Sequence, residues 1–312
     1  MSRRFIKDLQ AGDRVEQVML LYAISERQTQ EGRPYLVLTL ADRTGRISAV
    51  VWQEQIPPER PAPDDFVRVV GPVEEYKGRL QVRVERMDLV DESEVDESLF
   101  VRRSDADGKV LLNRMVTFLG KVEDTFLKGL ADSFLSDRDF MADFVLAPAA
   151  REVHHPYVGG LLEHTHNVVR ICRMVTLIYP ALDADLLVVG AFLHDVGKVR
   201  QYRWRRAIDH TTPGRLVGHV VMGAEMMRKR ALKIAGFPRD VLLKLEHMIL
   251  SHHGRREWGS PVEPAFEEAA MLHMADYMDS RMAMFAEARR AAPDGAEWSE
   301  YVRALDLHVF LR

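Results

Sequence analysis

The sequence predicts an α+β protein of two domains, with a five-stranded β-barrel in residues 1–90 and an all-α helical bundle in residues 151–312. Five short runs rich in Val, Ile, Leu and aromatic residues precede residue 90, and turn signals separate them. From Gly160 onward, apolar residues recur at spacings of three and four, and no strand-like run interrupts them. A chain of 312 residues is long enough to build both hydrophobic cores.

The N-terminal runs have the number and spacing of the strands in a small barrel. The expected strands cover residues 15–24, 35–40, 47–52, 66–70 and 80–90. Five strands favour an OB-type barrel, which binds oligonucleotides on one face, although an SH3-like barrel fits the strand count nearly as well. The candidates for a binding face, each of which could instead pack inside the barrel, are Tyr35, Trp52, Tyr76 and Arg79.

Residues 91–150 separate the two predicted domains. This segment begins with the acidic stretch Asp91–Glu97 and holds 13 acidic residues against 7 basic ones, so it carries the negative excess of the chain. Helical patterning begins near Val110 and runs, with breaks, to Phe144. We therefore expect an acidic linker followed by a helical connector.

The C-terminal half has helical periodicity throughout. The apolar pattern predicts helices over residues 161–178, 184–194, 218–235, 239–251 and 266–288. Asp183 is a plausible N-cap for the second of these helices, and Gly197 stands where that helix would stop. A bundle of such helices can hold polar ligands on side chains that point into its core.

A set of His and Asp residues in the C-terminal half follows a pattern typical of a metal site: His164, His194, Asp195, His219, His252, His253 and Asp276. Neutral imidazole and carboxylate ligands together suit borderline divalent ions such as manganese, iron, cobalt and zinc. An Asp with His residues on both sides can bridge two such ions, which form a clamp for displacement at phosphorus. The pattern therefore predicts a metal-dependent phosphoesterase.

The order H…HD…H…HH…D is that of the HD-domain superfamily, and the surrounding segments resemble one branch of it. Over nearly the whole chain the sequence is similar to the YhaM-type 3′→5′ exoribonucleases, most clearly in residues 148–150, 154–165, 218–219 and 249–254. Residues 35–52 resemble OB-folds of the tRNA-anticodon-binding kind. The resemblance implies an OB-fold domain before an HD domain, with single-stranded RNA, or also single-stranded DNA, as the substrate.

The resemblance also implies two divalent metal ions, with manganese expected and iron, cobalt or zinc as alternatives. One ion would be held by His164, His194, Asp195 and Asp276. Asp195 would bridge to the second ion, completed by His219 and by His252, His253 or both. The implied reaction is hydrolysis of the terminal phosphodiester at an RNA 3′ end by metal-activated water, which releases a nucleoside 5′-monophosphate.

Asp195 and Lys198 are the predicted catalytic residues. The Lys198 ammonium could lie on the scissile phosphate, and a solvated lysine favoured by the helix dipole is the alternative. The run Lys198–Arg206 interleaves cations with aromatic residues, which suits a single strand of nucleic acid but equally describes a solvated loop. The predicted substrate contacts are His155, Arg203, Trp204, Arg205, Tyr35 and Trp52.

Composition and charge limit the function classes. The net charge of −4 argues mildly against nucleic-acid binding, but the acidic excess lies outside the half that carries the metal motif. Cys172 is the single cysteine, which excludes an intrachain disulfide and a thiolate metal site. Without a secretory signal or an apolar stretch of about 20 residues, we expect a cytoplasmic protein that does not associate with membranes. A homo-oligomer stays open.

Three other functions stay open from the residues alone. They are a nucleotide phosphohydrolase with a regulatory OB module, a di-iron HD oxygenase, and a non-catalytic RNA-binding scaffold. The N-terminal barrel disfavours the oxygenase, because its small substrate needs no oligonucleotide module, and the intact ligand set disfavours the scaffold. Gly160 stands four residues before His164, and no Gly-Tyr-Pro follows the His pair, which argues against the cyclic-dinucleotide phosphodiesterases.

Overall fold

The structure is a computed structural model that describes residues 3–204, 206–293 and 295–312. The chain divides into two compact units, and each unit has its own hydrophobic core. The first unit is Met1–Arg102 together with Arg205–Ala207, and the second is Arg103–Trp204 together with Ile208–Arg312.

The first unit is a curved antiparallel sheet with one parallel pairing. Its strands are β1 (Arg14–Gln28), β2 (Pro34–Asp42), β3 (Gly45–Trp52), β4 (Phe66–Tyr76), β5 (Arg79–Val84) and β6 (Arg86–Val90). β1 pairs with both β2 and β4, β3 pairs with β2 and runs parallel to β5, and β4 pairs with β5 and β6. Four of the five predicted strand runs are confirmed as single strands, and the fifth, residues 80–90, is divided into β5 and β6. Alternating residues such as Leu36, Leu38 and Leu40 point to the buried face of the sheet and form part of the hydrophobic core.

The last predicted strand is broken by a one-residue bulge. Val73 pairs with Val82, but Val70 pairs with Arg86, so the register shifts by one residue at Glu85. Opposite this bulge, the backbone of β4 comes so close to β5 that a Cβ on Gly71 would lie 2.1 Å from the Arg83 carbonyl oxygen. Periodicity alone does not reveal such an irregularity, because the apolar pattern continues on both sides of it.

The close approach at Gly71 predicts that Gly71→Ala destabilises the first unit by about 1–3 kcal/mol, because a methyl group there forces the backbone apart. The matched control is Gly45→Ala, whose added Cβ would meet only Ile6 Cγ2 at an ordinary 3.5 Å. Its effect should stay below about 1 kcal/mol in either direction. Chemical denaturation of both variants measures the difference, and equal midpoints would contradict the steric explanation.

The acidic stretch after the sheet is packed rather than extended. The carboxylates of Asp91 and Asp96 cap two short 3₁₀ turns, and Phe100 is buried with its ring centroid 4.8 Å from that of Phe66. Residues 91–102 therefore belong to the first unit. The rest of the predicted connector packs in the second unit.

The second unit is mainly helical, as predicted. Its helices are α1 (Gly108–Leu119), α2 (Thr125–Leu135), α3 (Arg138–Leu146), α4 (Gly160–Ile178), α5 (Ala184–Leu193), α6 (Lys198–Gln201), α7 (Thr212–Leu216), α8 (His219–Ala231), α9 (Arg239–Ser251) and α10 (Glu267–Ala291). Aspartate side chains accept hydrogen bonds from the first-turn amides of α1, α2, α3 and α5. The cap on α5 is the predicted Asp183.

The most buried helix carries the His-Asp pair to the centre of the second unit. Every residue of α5 from Leu186 to Leu193 is buried, and α2, α4, α9 and α10 pack around it. Cys172 lies in the same core, where burial raises the pKa of its thiol to about 12. His194 and Asp195 directly follow α5 and are themselves buried, so both side chains lie in the interior of the second unit.

The helical unit also contains strands that the sequence did not predict. β7 (Tyr202–Arg203) pairs with β8 (Asp209–His210), and β9 (Trp298–Val302) forms a hairpin with β10 (Leu307–Phe310). The expectation of an all-α domain was incomplete, because such short strands show too few alternations to stand out from a loop. Among the described residues, none of the helices has the length and apolar character that crossing a membrane requires.

Candidate active site

The structure brings all seven predicted metal ligands together in the second unit. His194 and Asp195 follow α5, His219 begins α8, and His252 and His253 follow α9. His164 comes from α4 and Asp276 from α10. Residues more than 100 positions apart in the sequence thus converge on one buried point, as the motif predicted.

Asp195 lies at the centre of the cluster, and its two carboxylate oxygens face different partners. Oδ2 lies 3.4 Å from His164 Nε2 and 3.3 Å from His194 Nε2. Oδ1 lies 3.4 Å from His219 Nε2 and 3.6 Å from His252 Nε2. One carboxylate therefore separates two sets of nitrogen atoms, which is the arrangement of a ligand shared between two cations.

Each set contains three side chains whose ligand atoms lie within 4.8 Å of one another. The first set, on the Oδ2 side, is His164, His194 and Asp276. In it, His164 Nε2 lies 3.2 Å from both His194 Nε2 and Asp276 Oδ1. The second set, on the Oδ1 side, is His219, His252 and His253. We call these the first and second ligand sets.

Hydrogen bonds fix four of the imidazole rings with Nε2 pointing inward. The Nδ1 atoms of His194 and His252 lie 2.7 Å from the carbonyl oxygens of Ala191 and Ile249, which can only accept. In the same way, His164 Nδ1 lies 2.7 Å from Asp279 Oδ2, and His219 Nδ1 lies 2.8 Å from Gln201 Oε1. We infer that these Nδ1 atoms carry a proton, so that each Nε2 faces Asp195. Although burial lowers the pKa of His164, hydrogen bonds to the surrounding carboxylates raise it well above its usual value, so a cation bound there would displace the proton from its Nε2.

The inward imidazole nitrogens and the central carboxylate form a site that fits a cation. Asp195 Oδ1 and His252 Nε2 are buried and accept no hydrogen bond from any residue that the structure describes, whereas Asp195 Oδ2 forms an ion pair with Lys198. Burial lowers the pKa of His219 well below its usual value and that of His253 to about 3, so these imidazoles are neutral. The donor set of imidazole nitrogens and carboxylate oxygens fits borderline divalent ions.

A network behind the first ligand set was not predicted from the sequence. Asp279 Oδ2 lies 2.7 Å from His164 Nδ1 and 2.8 Å from His155 Nε2, while Oδ1 accepts a bond of 2.9 Å from Asn167 Nδ2. Asp279 stands three residues after Asp276 on α10, so both carboxylates lie on one face of the helix. That spacing was the available signal.

His155 differs from the expected substrate contact. The side chain is buried, and its Nδ1 lies 2.7 Å from the Tyr157 hydroxyl while its Nε2 lies on Asp279. With both ring nitrogens occupied, the imidazole supports Asp279 instead of facing the substrate. Gly160 makes this arrangement possible, because a Cβ there would lie 2.2 Å from the His155 carbonyl oxygen.

Two further residues position His219 in the second ligand set. Gln201 Oε1 accepts hydrogen bonds from both the backbone nitrogen and Nδ1 of His219. Gly197 lets the turn after Asp195 approach the start of α8, since a Cβ there would lie 2.1 Å from the His219 carbonyl oxygen. The sequence contained no spacing signal for Gln201, because the loop that returns the chain to His219 is irregular.

Lys198 is buried beside the central carboxylate. It is only 5% exposed, and its Nζ lies 2.5 Å from Asp195 Oδ2. Burial lowers the pKa of the ammonium, but the negative charge of Asp195 more than offsets this effect, so the pKa is raised above its usual value. The alternative of a solvated lysine at a helix end is therefore wrong.

The predicted substrate contacts outside the cluster are divided between the two units. Arg203 is exposed with a guanidinium nitrogen 3.6 Å from Asp209, whereas Trp204 is half-buried against the helical core, and Arg205 lies outside the described residues. In the first unit, Tyr35 and Trp52 are partners on neighbouring strands with ring centroids 5.2 Å apart. Trp52 is exposed and Tyr35 is half-buried.

Both domains match known families. Residues 23–90 match the OB-fold nucleic acid binding domain, and residues 161–281 match the HD domain. The 3′-5′ exoribonuclease YhaM of Bacillus subtilis (strain 168) is 31% identical over 305 residues, which cover 97% of this chain and 96% of the relative. The chain belongs to the YhaM family. The OB-fold and the HD domain that the YhaM resemblance implied are thereby confirmed, and the SH3-like alternative is set aside.

Two solved structures match parts of this YhaM-family chain. The second OB-fold domain of replication protein A from Methanococcus maripaludis is 20% identical, with 28% of this chain and 95% of that one covered and a TM-score of 0.25. The HD domain of the phosphodiesterase PgpH from L. monocytogenes is 14% identical, with 50% and 81% covered and a TM-score of 0.32.

The hydrogen bond from His164 to Asp279 predicts that Asp279→Asn weakens metal binding by about 10- to 100-fold, since a neutral amide orients the imidazole less firmly than a carboxylate. Titration of Mn²⁺ into chelator-treated protein measures the affinity. The control is Asp240→Asn, which removes an exposed carboxylate in the first turn of α9. If both variants bind Mn²⁺ as tightly as the wild type, Asp279 does not support the ligand set.

Proposed function

We propose that this member of the YhaM family is a metal-dependent 3′→5′ exoribonuclease that hydrolyses single-stranded RNA to nucleoside 5′-monophosphates. One observation carries the proposal: the two oxygens of Asp195 face two separate ligand sets in a buried site. The activity named for the Bacillus subtilis relative supports RNA as the substrate and the 3′ end as the point of attack.

The proposed ligands follow the two sets. His164, His194, Asp276 and Asp195 Oδ2 would hold one divalent ion, and His219, His252, His253 and Asp195 Oδ1 the other. Manganese fits this mixture of imidazole and carboxylate, with iron, cobalt or zinc as alternatives. When bound, such ions lower the pKa of water and neutralise negative charge on phosphate oxygens.

The protein itself contributes position and charge. The Nδ1 hydrogen bonds hold the imidazole rings before substrate arrives, so that little reorganisation is needed during the reaction. Lys198 keeps a proton on its ammonium inside the site, where it can donate to a non-bridging oxygen of the scissile phosphate. The apolar helices around Asp195 exclude bulk water and thereby strengthen these interactions.

The first unit would hold the RNA strand upstream of the cut. An OB-fold commonly binds single-stranded nucleic acid by stacking bases on aromatic rings, and the Tyr35–Trp52 pair offers such a surface.

Arg203 of the second unit is exposed and, with Arg205, would contact RNA phosphates. We place the functional boundary between the OB and HD domains at residues 102 and 103, where the two compact units divide.

A shared carboxylate predicts that Asp195→Asn abolishes hydrolysis while the fold is kept, because a neutral amide cannot compensate two cations. The rate should fall by at least about 10³-fold, which corresponds to about 4 kcal/mol of transition-state stabilisation. The assay uses 5′-labelled single-stranded RNA with added Mn²⁺, and circular dichroism reports the fold. A variant within about tenfold of the wild-type rate would contradict the shared carboxylate.

The same assay on the wild type decides the substrate class. A 3′→5′ exoribonuclease shortens 5′-labelled RNA stepwise from its 3′ end, releases nucleoside 5′-monophosphates and stops when a chelator is added. Free nucleotides are incubated in parallel. Turnover of nucleotides with intact RNA would replace the proposal by a nucleotide phosphohydrolase, and inactivity on both would leave an RNA-binding scaffold.

A further inference from the structure

Two exposed aromatic rings lie parallel on the surface of the helical unit. Trp258 ends a short 3₁₀ turn and Tyr277 lies in α10, with ring centroids 5.5 Å apart and planes inclined by only 1°. They are 46% and 40% exposed. Nucleobases stack on aromatic faces of this kind. We call Trp258 and Tyr277 the aromatic pair.

The aromatic pair adjoins the ligand sets through a single imidazole. The His273 ring centroid lies 6.1 Å from the ring of each member, and His273 Nδ1 lies 2.9 Å from the backbone oxygen of His252. Tyr277 also directly follows Asp276 on α10. Only the His273 side chain thus separates the aromatic pair from the proposed ligand His252, and Tyr277 is the sequence neighbour of the proposed ligand Asp276.

The loop that presents Trp258 also packs on the second ligand set. A Cβ on Gly259 would lie 3.6 Å from His253 Nδ1, and a Cβ on Gly254 would lie within 2.5 Å of the His273 ring. Both glycines have positive φ, at 93° and 82°, a conformation that other residues rarely adopt. The backbone between the two glycines is therefore held against the site, which fixes the position of Trp258 beside it.

Positive charge surrounds the aromatic pair. The Arg255 guanidinium lies 5.1 Å from the Trp258 ring centroid, and that of Arg281 lies 5.7 Å from the Tyr277 ring centroid. Arg256 is exposed in the same turn, with Glu257 as the acidic neighbour. Cations that flank stacked rings complement a strand whose phosphates alternate with its bases.

We propose that the aromatic pair binds the bases at the 3′ end of a single-stranded nucleic acid, while Arg255 and Arg281 contact its phosphates. This inference rests on the proposed function and adds the subsite that positions the terminal phosphodiester at the ligand sets. Every nucleobase has a π-face, so binding by stacking tolerates any sequence. An enzyme that removes successive nucleotides needs that tolerance at this position.

The direct test is Trp258→Ala in the holoenzyme, with Trp258→Phe to restore an aromatic face. The matched control is Trp298→Ala, because Trp298 is 56% exposed in the same unit but lies on the C-terminal hairpin. Fluorescence anisotropy measures the Kd for a short 5′-labelled RNA whose terminal linkages are phosphorothioates, which slow cleavage. Hydrolysis of ordinary RNA and of bis-p-nitrophenyl phosphate is measured in parallel.

Trp258→Ala should raise the Kd by about 5- to 150-fold, the range expected when one base loses its stacking partner. Trp258→Phe should recover most of that affinity, and Trp298→Ala should bind as the wild type does. The loss of kcat/KM on RNA should exceed the loss on bis-p-nitrophenyl phosphate at least about fivefold, because the small ester has no nucleotide chain that reaches from the ligand sets to the aromatic pair.

Equal Kd values for Trp258→Ala and Trp298→Ala would overturn the proposal. So would equal losses on RNA and on the small ester, since they would mean that Trp258 acts through the ligand sets. If the wild type leaves ordinary RNA intact, the proposed function fails, but the Kd comparison still decides whether the aromatic pair binds RNA.

A second variant tests the phosphate contact without touching either ring. Arg281→Gln should reduce the slope of log Kd against log salt concentration by about 0.7, the contribution of one phosphate on a single strand. Arg290→Gln, which removes an exposed guanidinium 3.4 Å from Asp105 farther along α10, should leave the slope unchanged. If both variants give the same slope of log Kd against log salt concentration, Arg281 does not contact a phosphate.

Discussion

The buried carboxylate of Asp195 is the constraint on which the helical unit depends. An ionised group at the centre of a protein is costly unless positive charge compensates it, and here imidazole nitrogens face it from both sides. Lys198 supplies one positive charge. Divalent ions would supply the rest, so we expect metal binding to stabilise the fold as well as to enable chemistry.

The helices deliver the ligands, but backbone details decide where they meet. The apolar α5 carries Asp195 inward, and Gly197 lets α8 approach closely enough for His219 to face the carboxylate. Carbonyl oxygens at the ends of α5 and α9 then orient His194 and His252. Each of these contacts positions a ligand without binding metal itself. Removal of one such contact should therefore reduce the activity partially rather than abolish it.

The sequence predicted which His and Asp residues come together because each lies in a short motif, whereas the residues that support them depend on tertiary contacts. Asp279 shares a helix face with Asp276 and could have been identified, but nothing near Gln201 indicates that it holds His219. His155 was wrongly assigned to substrate because a loop histidine gives no sign of burial. The strands were predicted from their alternation, while the bulge at Glu85 and the C-terminal hairpin were too short to leave a periodic signal.

The central claim is that one carboxylate is shared by two metal ions, and anomalous diffraction from crystals grown with Mn²⁺ tests it most directly. The account predicts two separate anomalous peaks, one bound by His164, His194 and Asp276 and one by the imidazoles of the second ligand set, with one oxygen of Asp195 on each. A single peak, or two peaks that both bind the same oxygen of Asp195, would contradict it.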